Sequence, residues 1–190
     1  MRSAMRYSHI LLTEALSEGG VAVDATMGNG NDTLFLSQLL EDQGQVFAFD
    51  IQEQALQNTR EKLTENQAPE NTTLYHLGHE KMEEVLPEDI QIQAAIFNLG
   101  YLPKSDKKII TLPETTLKAF EFILNHLAVG GRLVCVLYYG HEGGEEEKNA
   151  VLSYAAKLPQ QQYQVLTYQF INQIHCPPIC LCIEKIKEEH

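Results

Sequence analysis

Apolar runs recur along the chain at 21–25, 46–50, 73–76, 94–98 and 132–139, and stretches with helical spacing separate them. Each gap is long enough for a helical crossover and too long for a hairpin turn, so the runs read as parallel strands of β-α-β units. Between the first two, Leu34, Phe35, Leu36, Leu39 and Leu40 gather on one side of a helix starting near Asn31. Residues 52–66 read as a polar, surface-facing helix, and 116–127 as an amphipathic one that stops before Gly130-Gly131. Glu145, Glu146 and Glu147 read as the solvated first turn of a further helix, where acidic groups suit the positive end of the macrodipole. Two last runs, 164–171 and 179–186, are separated only by a short loop containing Pro177-Pro178, so they must pair antiparallel. The expected fold is a doubly wound, Rossmann-like α/β domain over residues 1–190, its mostly parallel sheet ending in an antiparallel hairpin.

Composition narrows the class. The 190 residues suffice for one sizeable core, and 44% hydrophobic with 21% charged residues excludes a disordered or fibrous chain. No uncharged apolar run approaches the ~18 residues a bilayer span needs, and the start of the chain lacks the apolar stretch of a signal peptide. Cys176, Cys180 and Cys182 cluster near the end with Cys135 apart, a poor disulfide framework, and Cys180 and Cys182 alternate along a strand without metal-ligand spacing. A cytoplasmic protein without a membrane partner or bound metal is expected. The net charge of −12 repels polyanions at long range, so a nucleic-acid substrate requires a locally basic face. Lys104, Lys107 and Lys108 form the one dense basic cluster.

The turn after the first strand, from Asp24 through Gly28, Asn29, Gly30 and Asn31 to Asp32 and Thr33, opens a helix. Glycines here allow a sharp turn and a close ligand approach. Twenty positions after Gly30, Asp50 ends the second strand, where a carboxylate can accept from ribose hydroxyls, with Gln52 flanking it. A dinucleotide fold wants a third glycine where this chain has Thr33, which weakens an NAD-dependent oxidoreductase. S-adenosylmethionine brings a sulfonium and an ammonium group, and acidic Asp24 and Asp32 suit those cations. Asn29 and Asn31 can bond its methionine end, and Gly78-His79-Glu80, past the third strand, can meet the adenine edge. An oxidoreductase and a non-catalytic cofactor-binding module remain as alternatives.

The fourth strand ends in Asn98-Leu99-Gly100-Tyr101-Leu102-Pro103, beside the reversal of strand order where a substrate meets a cofactor. The Asn98 amide oxygen can accept from an amine, Gly100 lets the Leu99 carbonyl face the site, and Tyr101 offers a flat ring, so a nitrogen acceptor is favoured. An amine must lose a proton before its lone pair can attack, and Asp32 or His9 could receive it. Tyr139 to Gly144 is a flexible glycine-rich candidate for a substrate loop.

With these residues in view, the chain resembles a small class I methyltransferase family long labelled rRNA methylase and since associated with the wobble uridine of tRNA. The matching stretches are Tyr7-Ser8-His9, Asp24 to Thr33, Gly78-His79-Glu80, Asn98 to Pro103, Gly140-His141-Glu142-Gly143-Gly144 and the final hairpin with Pro177-Pro178 and Ile183-Glu184-Lys185. The resemblance implies a seven-stranded sheet, S-adenosylmethionine held by the residues named above, and methylation of the aminomethyl group of 5-aminomethyl-2-thiouridine in the tRNA anticodon. It is also compatible with a homodimer. The residues by themselves leave rRNA or a small-molecule amine open as the acceptor.

Overall fold

The computed structural model describes residues 1–100 and 111–188. Seven strands, β1 (Val21–Asp24), β2 (Gln45–Asp50), β3 (Thr72–His76), β4 (Ile92–Leu99), β5 (Leu127–Leu137), β6 (Tyr163–Tyr168) and β7 (Ile179–Lys185), form one sheet in the order β3-β2-β1-β4-β5-β7-β6. The first five are parallel; β7 runs antiparallel between β5 and β6, in register from Tyr163 opposite Lys185 to Tyr168 opposite Cys180. Strand order reverses between β1 and β4, which pair through Ala22–Ala94, Val23–Ala95 and Asp24–Ile96.

The central strands are apolar on both sides, and their period of two sorts the residues onto two faces. Ala22, Val46, Ala94, Ile96, Val134, Val136, Cys180 and Cys182 pack under α1 (Ala4–Ala15) and α2 (Asn31–Leu40). Val23, Ala95, Phe97, Leu133, Cys135, Leu181 and Ile183 pack under α4 (Pro113–His126) and α5 (Gly144–Ala155). The remaining helix, α3 (Glu53–Glu65), sets Ala55 and Leu56 against Ala48 and Met27. Burial of Cys180 and Cys182 pushes both thiols up to about 12, so they stay protonated at neutral pH.

Two local readings are corrected. The helix before Gly130-Gly131 ends at His126, and the glycines sit inside β5, where the register slips between the Ile92–Leu127 and Ala94–Arg132 pairs; Gly130 supplies the positive φ of +82° that this bulge needs. Glu147 is not solvated but 2% exposed, its carboxylate accepting from the hydroxyls of Thr111 (2.6 Å) and Thr116 (2.8 Å). Burial raises its pKa.

The helix α1 was not read from the sequence, although the Ser3 hydroxyl caps it by accepting from the Arg6 N–H, and Ala4, Ser8, Leu11 and Leu12 form its buried stripe. Arg132 of β5 fastens it, donating to the Leu11 carbonyl (3.1 Å), Glu14 (2.7 Å) and Glu184 of β7 (2.8 Å). This docking carries His9 to the ends of β1 and β4.

Candidate active site

The turn leaving β1 is built around a buried carboxyl. Asp24 has no exposed surface; one oxygen accepts from the Thr26 N–H (3.2 Å) and the other from the Thr33 hydroxyl (2.6 Å). Burial first, and the neighbouring Asp32 charge second, push its pKa up to about 7. Asp24 was expected among the cofactor's contacts, but its carboxyl lies beneath the turn and shapes it. Thr33 stands where a dinucleotide fold places glycine because its hydroxyl belongs to this bond.

Gly28 and Gly30 take positive φ values of +50° and +74°. The close approach at Gly30 is to α3, not to open cleft: a Cβ there would lie 2.9 Å from both Cα and Oγ1 of Thr59. Asn29 and Asn31 also face α3, where their amide oxygens accept from Asn58 (2.9 Å) and from the Lys62 ammonium. The two asparagines thus tie the turn to α3, a function their spacing did not reveal.

At the end of β2, Asp50 accepts from the Gly28 N–H (3.0 Å) and the Gln52 N–H (2.9 Å), which sets its carboxylate against the glycine turn. Its pKa is raised by burial, and these two backbone donors offset part of that shift. Opposite, in the short turn His79–Glu84 after β3, His79 is 8% exposed and its Nδ1 donates to the Ala25 carbonyl (3.1 Å). Burial lowers its pKa, so at neutral pH the ring is uncharged and its other nitrogen, Nε2, is a bare acceptor. That Nε2 is buried with no protein partner. Glu80 turns its carboxylate back over Gly78, where a Cβ would sit 2.3 Å from it.

The reversal point holds the second group. Asp32, at the start of α2 and 5% exposed, is bonded through one oxygen to His9 Nε2 (2.6 Å) and accepts through the other from Asn98 Nδ2 (2.5 Å). His9 stacks on Phe35 at 3.9 Å and is 30% exposed, so it links Asp32 to solvent. The Asn98 N–H donates to the Thr26 hydroxyl (2.7 Å), joining the ends of β4 and β1. A carboxylate only accepts, so Asp32 fixes the Asn98 amide with its nitrogen inward. The amide oxygen of Asn98 is left buried with no protein partner. Sequence reasoning named Asp32, His9 and Asn98 separately, and the fold brings them into one chain of bonds.

The Leu99 carbonyl does not face the site as expected, because it accepts the Tyr138 N–H (3.0 Å) in the extension of the β4–β5 ladder. Tyr101, Lys104, Lys107 and Lys108 lie outside the described residues. The borders of that segment are bonded to each other, with the Gly100 N–H donating to the Thr111 hydroxyl (3.1 Å) and the Thr111 N–H to the Gly100 carbonyl (3.1 Å). Buried Glu147 anchors this junction through Thr111 and Thr116, a role no local signal announced. Tyr138 is the other residue missed; burial first and the Asp32 charge second raise its pKa. Gly140 of the glycine-rich loop approaches Cys176 of the β6–β7 connection, which takes a positive φ of +52° as His175 does at +63°.

Comparison with known proteins gives concordant results. The family described as "Putative rRNA methylase" matches residues 46–184. A structure from Clostridium thermocellum carrying the same rRNA-methylase description superposes with a TM-score of 0.94 at 43% identity, covering 98% of this chain and 99% of that one. A Streptococcus mutans methyltransferase solved in complex with SAH gives a TM-score of 0.88 at 45% identity, covering 97% and 99%. A curated relative, the chloroplastic tRNA (mnm(5)s(2)U34)-methyltransferase of Arabidopsis thaliana, is 34% identical over 97% of this chain and 70% of its own length.

Proposed function

The chain belongs to the family described as "Putative rRNA methylase", and from that premise we propose that it methylates the aminomethyl nitrogen of 5-aminomethyl-2-thiouridine at the wobble position of tRNA. It is an S-adenosylmethionine-dependent methyltransferase, and the tRNA substrate of the Arabidopsis relative supports the choice of acceptor. The observation that carries the reading is the bridge from His9 through Asp32 to Asn98, which leaves the buried Asn98 oxygen as an unpaired acceptor at the strand reversal.

The residues present fit the cofactor. His79 Nε2 is a neutral, buried acceptor of the kind an exocyclic amine requires, and Asp50, raised in pKa by burial, gains from hydroxyl donors. Asp50, Gln52, His79 and Glu80 would hold the nucleoside end; Gly28, Asn29, Gly30 and Asn31 would form the turn beneath the methionine end. S-adenosylmethionine, when bound, supplies a methyl group on a sulfonium that is already an activated leaving group. The protein's work is then alignment of the amine. Asn98 Oδ1 accepts one N–H of the amine and so orients its lone pair. Asp32 takes the proton the ammonium must lose, and the Nε2–H of His9 holds its carboxylate in place.

A tRNA substrate agrees with a cytoplasmic location, and no helix among the described residues is long and apolar enough to cross a membrane. The exposed apolar residues Leu166, Ile171 and Ile174 on and after the edge strand β6 support a homodimer packed there. The activity is tested with purified protein, methyl-labelled S-adenosylmethionine and tRNA bearing 5-aminomethyl-2-thiouridine. Label in the wobble nucleoside is expected. Label appearing only in rRNA or in a small amine would replace the acceptor.

A further inference from the structure

A concavity of about 420 Å³ opens along α1, lined by Arg2, Arg6, His9, Ile10, Thr13 and Glu14. One of its lining residues, His9, is bonded to Asp32 and through it to Asn98, so the groove lies next to the candidate acceptor site. Arg2, just before the Ser3 cap, and Arg6, in the first turn of α1, are both exposed and both line this groove.

Their charge is uncompensated. Among the described residues no ion pair engages Arg2 or Arg6; the same holds for Arg60, Lys62, Lys81, Lys157 and Lys187, but of these cations only the two arginines line the groove beside His9. Glu14, the acidic residue of the groove, is bonded to Arg132. In a chain of net charge −12, two free guanidiniums beside the site are the kind of local positive potential that a polyanionic substrate requires. The segment that carries them is tied to β6: the Tyr168 hydroxyl donates to the Arg2 carbonyl (2.7 Å), and Tyr7 stacks on Tyr168 at 4.3 Å.

We propose that Arg2 and Arg6 in the α1 groove bind phosphodiester groups of the RNA strand flanking the nucleotide that reaches Asn98. The proposal rests on the tRNA reading above. Guanidiniums match phosphate oxygens in bidentate fashion, fix the position of the strand, and carry no base specificity.

The test uses the full chain, an anticodon stem-loop RNA as probe, and binding measured across a salt series for the wild type, Arg2→Ala/Arg6→Ala and Arg2→Lys/Arg6→Lys. Loss of two single-strand contacts should lower the salt slope by about 1.4, at ~0.7 per contact, while SAH affinity and kcat at saturating RNA stay unchanged. The lysine pair should keep the slope and bind more weakly. An alanine pair with wild-type slope and affinity overturns the proposal. If such a pair accompanies normal tRNA methylation by the wild type, the wobble-uridine reading survives alone. If the slope falls as expected but the wild type methylates no tRNA, the groove assignment stands and that reading fails.

Discussion

Asp32→Asn removes a charge without changing shape, and it tests whether Asp32 governs both of its neighbours. The carboxylate accepts from Asn98 Nδ2 at 2.5 Å and is bonded to His9 Nε2 at 2.6 Å, in a position only 5% exposed. An asparagine offers one oxygen and one amino group, so only one of the two neighbours keeps its partner. If the new amino group faces Asn98, that amide must turn over and present nitrogen where its free oxygen stood. If it faces His9, the imidazole must present a lone pair and move its proton to Nδ1. In either arrangement the proton acceptor is lost. A hydrogen bond to a charged group contributes ~1.5 to 3 kcal/mol. Deleting one transition-state hydrogen bond in other enzymes costs ~3 to 4 kcal/mol. A loss of about 2 to 4 kcal/mol corresponds to roughly 30-fold to 10³-fold in rate. The assay is single-turnover methyl transfer to tRNA at saturating S-adenosylmethionine, with calorimetric titration of SAH alongside. SAH should bind nearly as before, because neither Asp50 nor His79 is bonded to Asp32. A wild-type single-turnover rate in Asp32→Asn would refute the bridge as part of the chemistry.

Other perturbations read other parts of the site. Asp50→Ala removes a charged acceptor beside the glycine turn and should weaken SAH binding roughly ten- to a hundredfold, for ~1.5 to 3 kcal/mol; an unchanged calorimetric Kd removes Asp50 from the cofactor site. Gly30→Ala combines a left-handed φ of +74° with a Cβ 2.9 Å from Thr59, and should lower unfolding free energy by about 2 to 5 kcal/mol in urea titrations; an unmoved midpoint contradicts the packing role. Asp24 keeps its proton up to about 7 when folded and releases it near 3.8 when unfolded, so its stabilisation is complete below the lower value and declines as pH rises to the upper. Asp24→Asn should therefore lose stability less steeply than the wild type between pH 4 and about 7, and parallel curves would show that the carboxyl is not perturbed as inferred.

Much of the framework was legible because its causes are local. The runs that became β2, β3 and β4 carry their own hydrophobic period, and the two strands around Pro177-Pro178 had no pairing open to them but antiparallel. Asp32, His9 and Asn98 were named from chemistry and chain position. What escaped depends on partners distant in sequence. Gly30 is demanded by Thr59 of α3, and Asn29 and Asn31 are held by Asn58 and Lys62. Glu147 looked solvated beside Glu145 and Glu146 because Thr111 and Thr116, which satisfy it, lie more than thirty positions away. The Ser3 cap and the Ala4, Ser8, Leu11, Leu12 stripe were a readable signal for α1.

Whether the Asn98 site methylates the wobble aminomethyl nitrogen is read by nucleoside mass spectrometry of tRNA from cells lacking the protein, complemented with wild type or Asn98→Ala. 5-Aminomethyl-2-thiouridine is expected to accumulate in the deletion, to be converted to its N-methyl form by the wild-type chain, and to stay largely unconverted with Asn98→Ala at equal protein level. A wild-type modification profile in the deletion, or full conversion by Asn98→Ala, would contradict it.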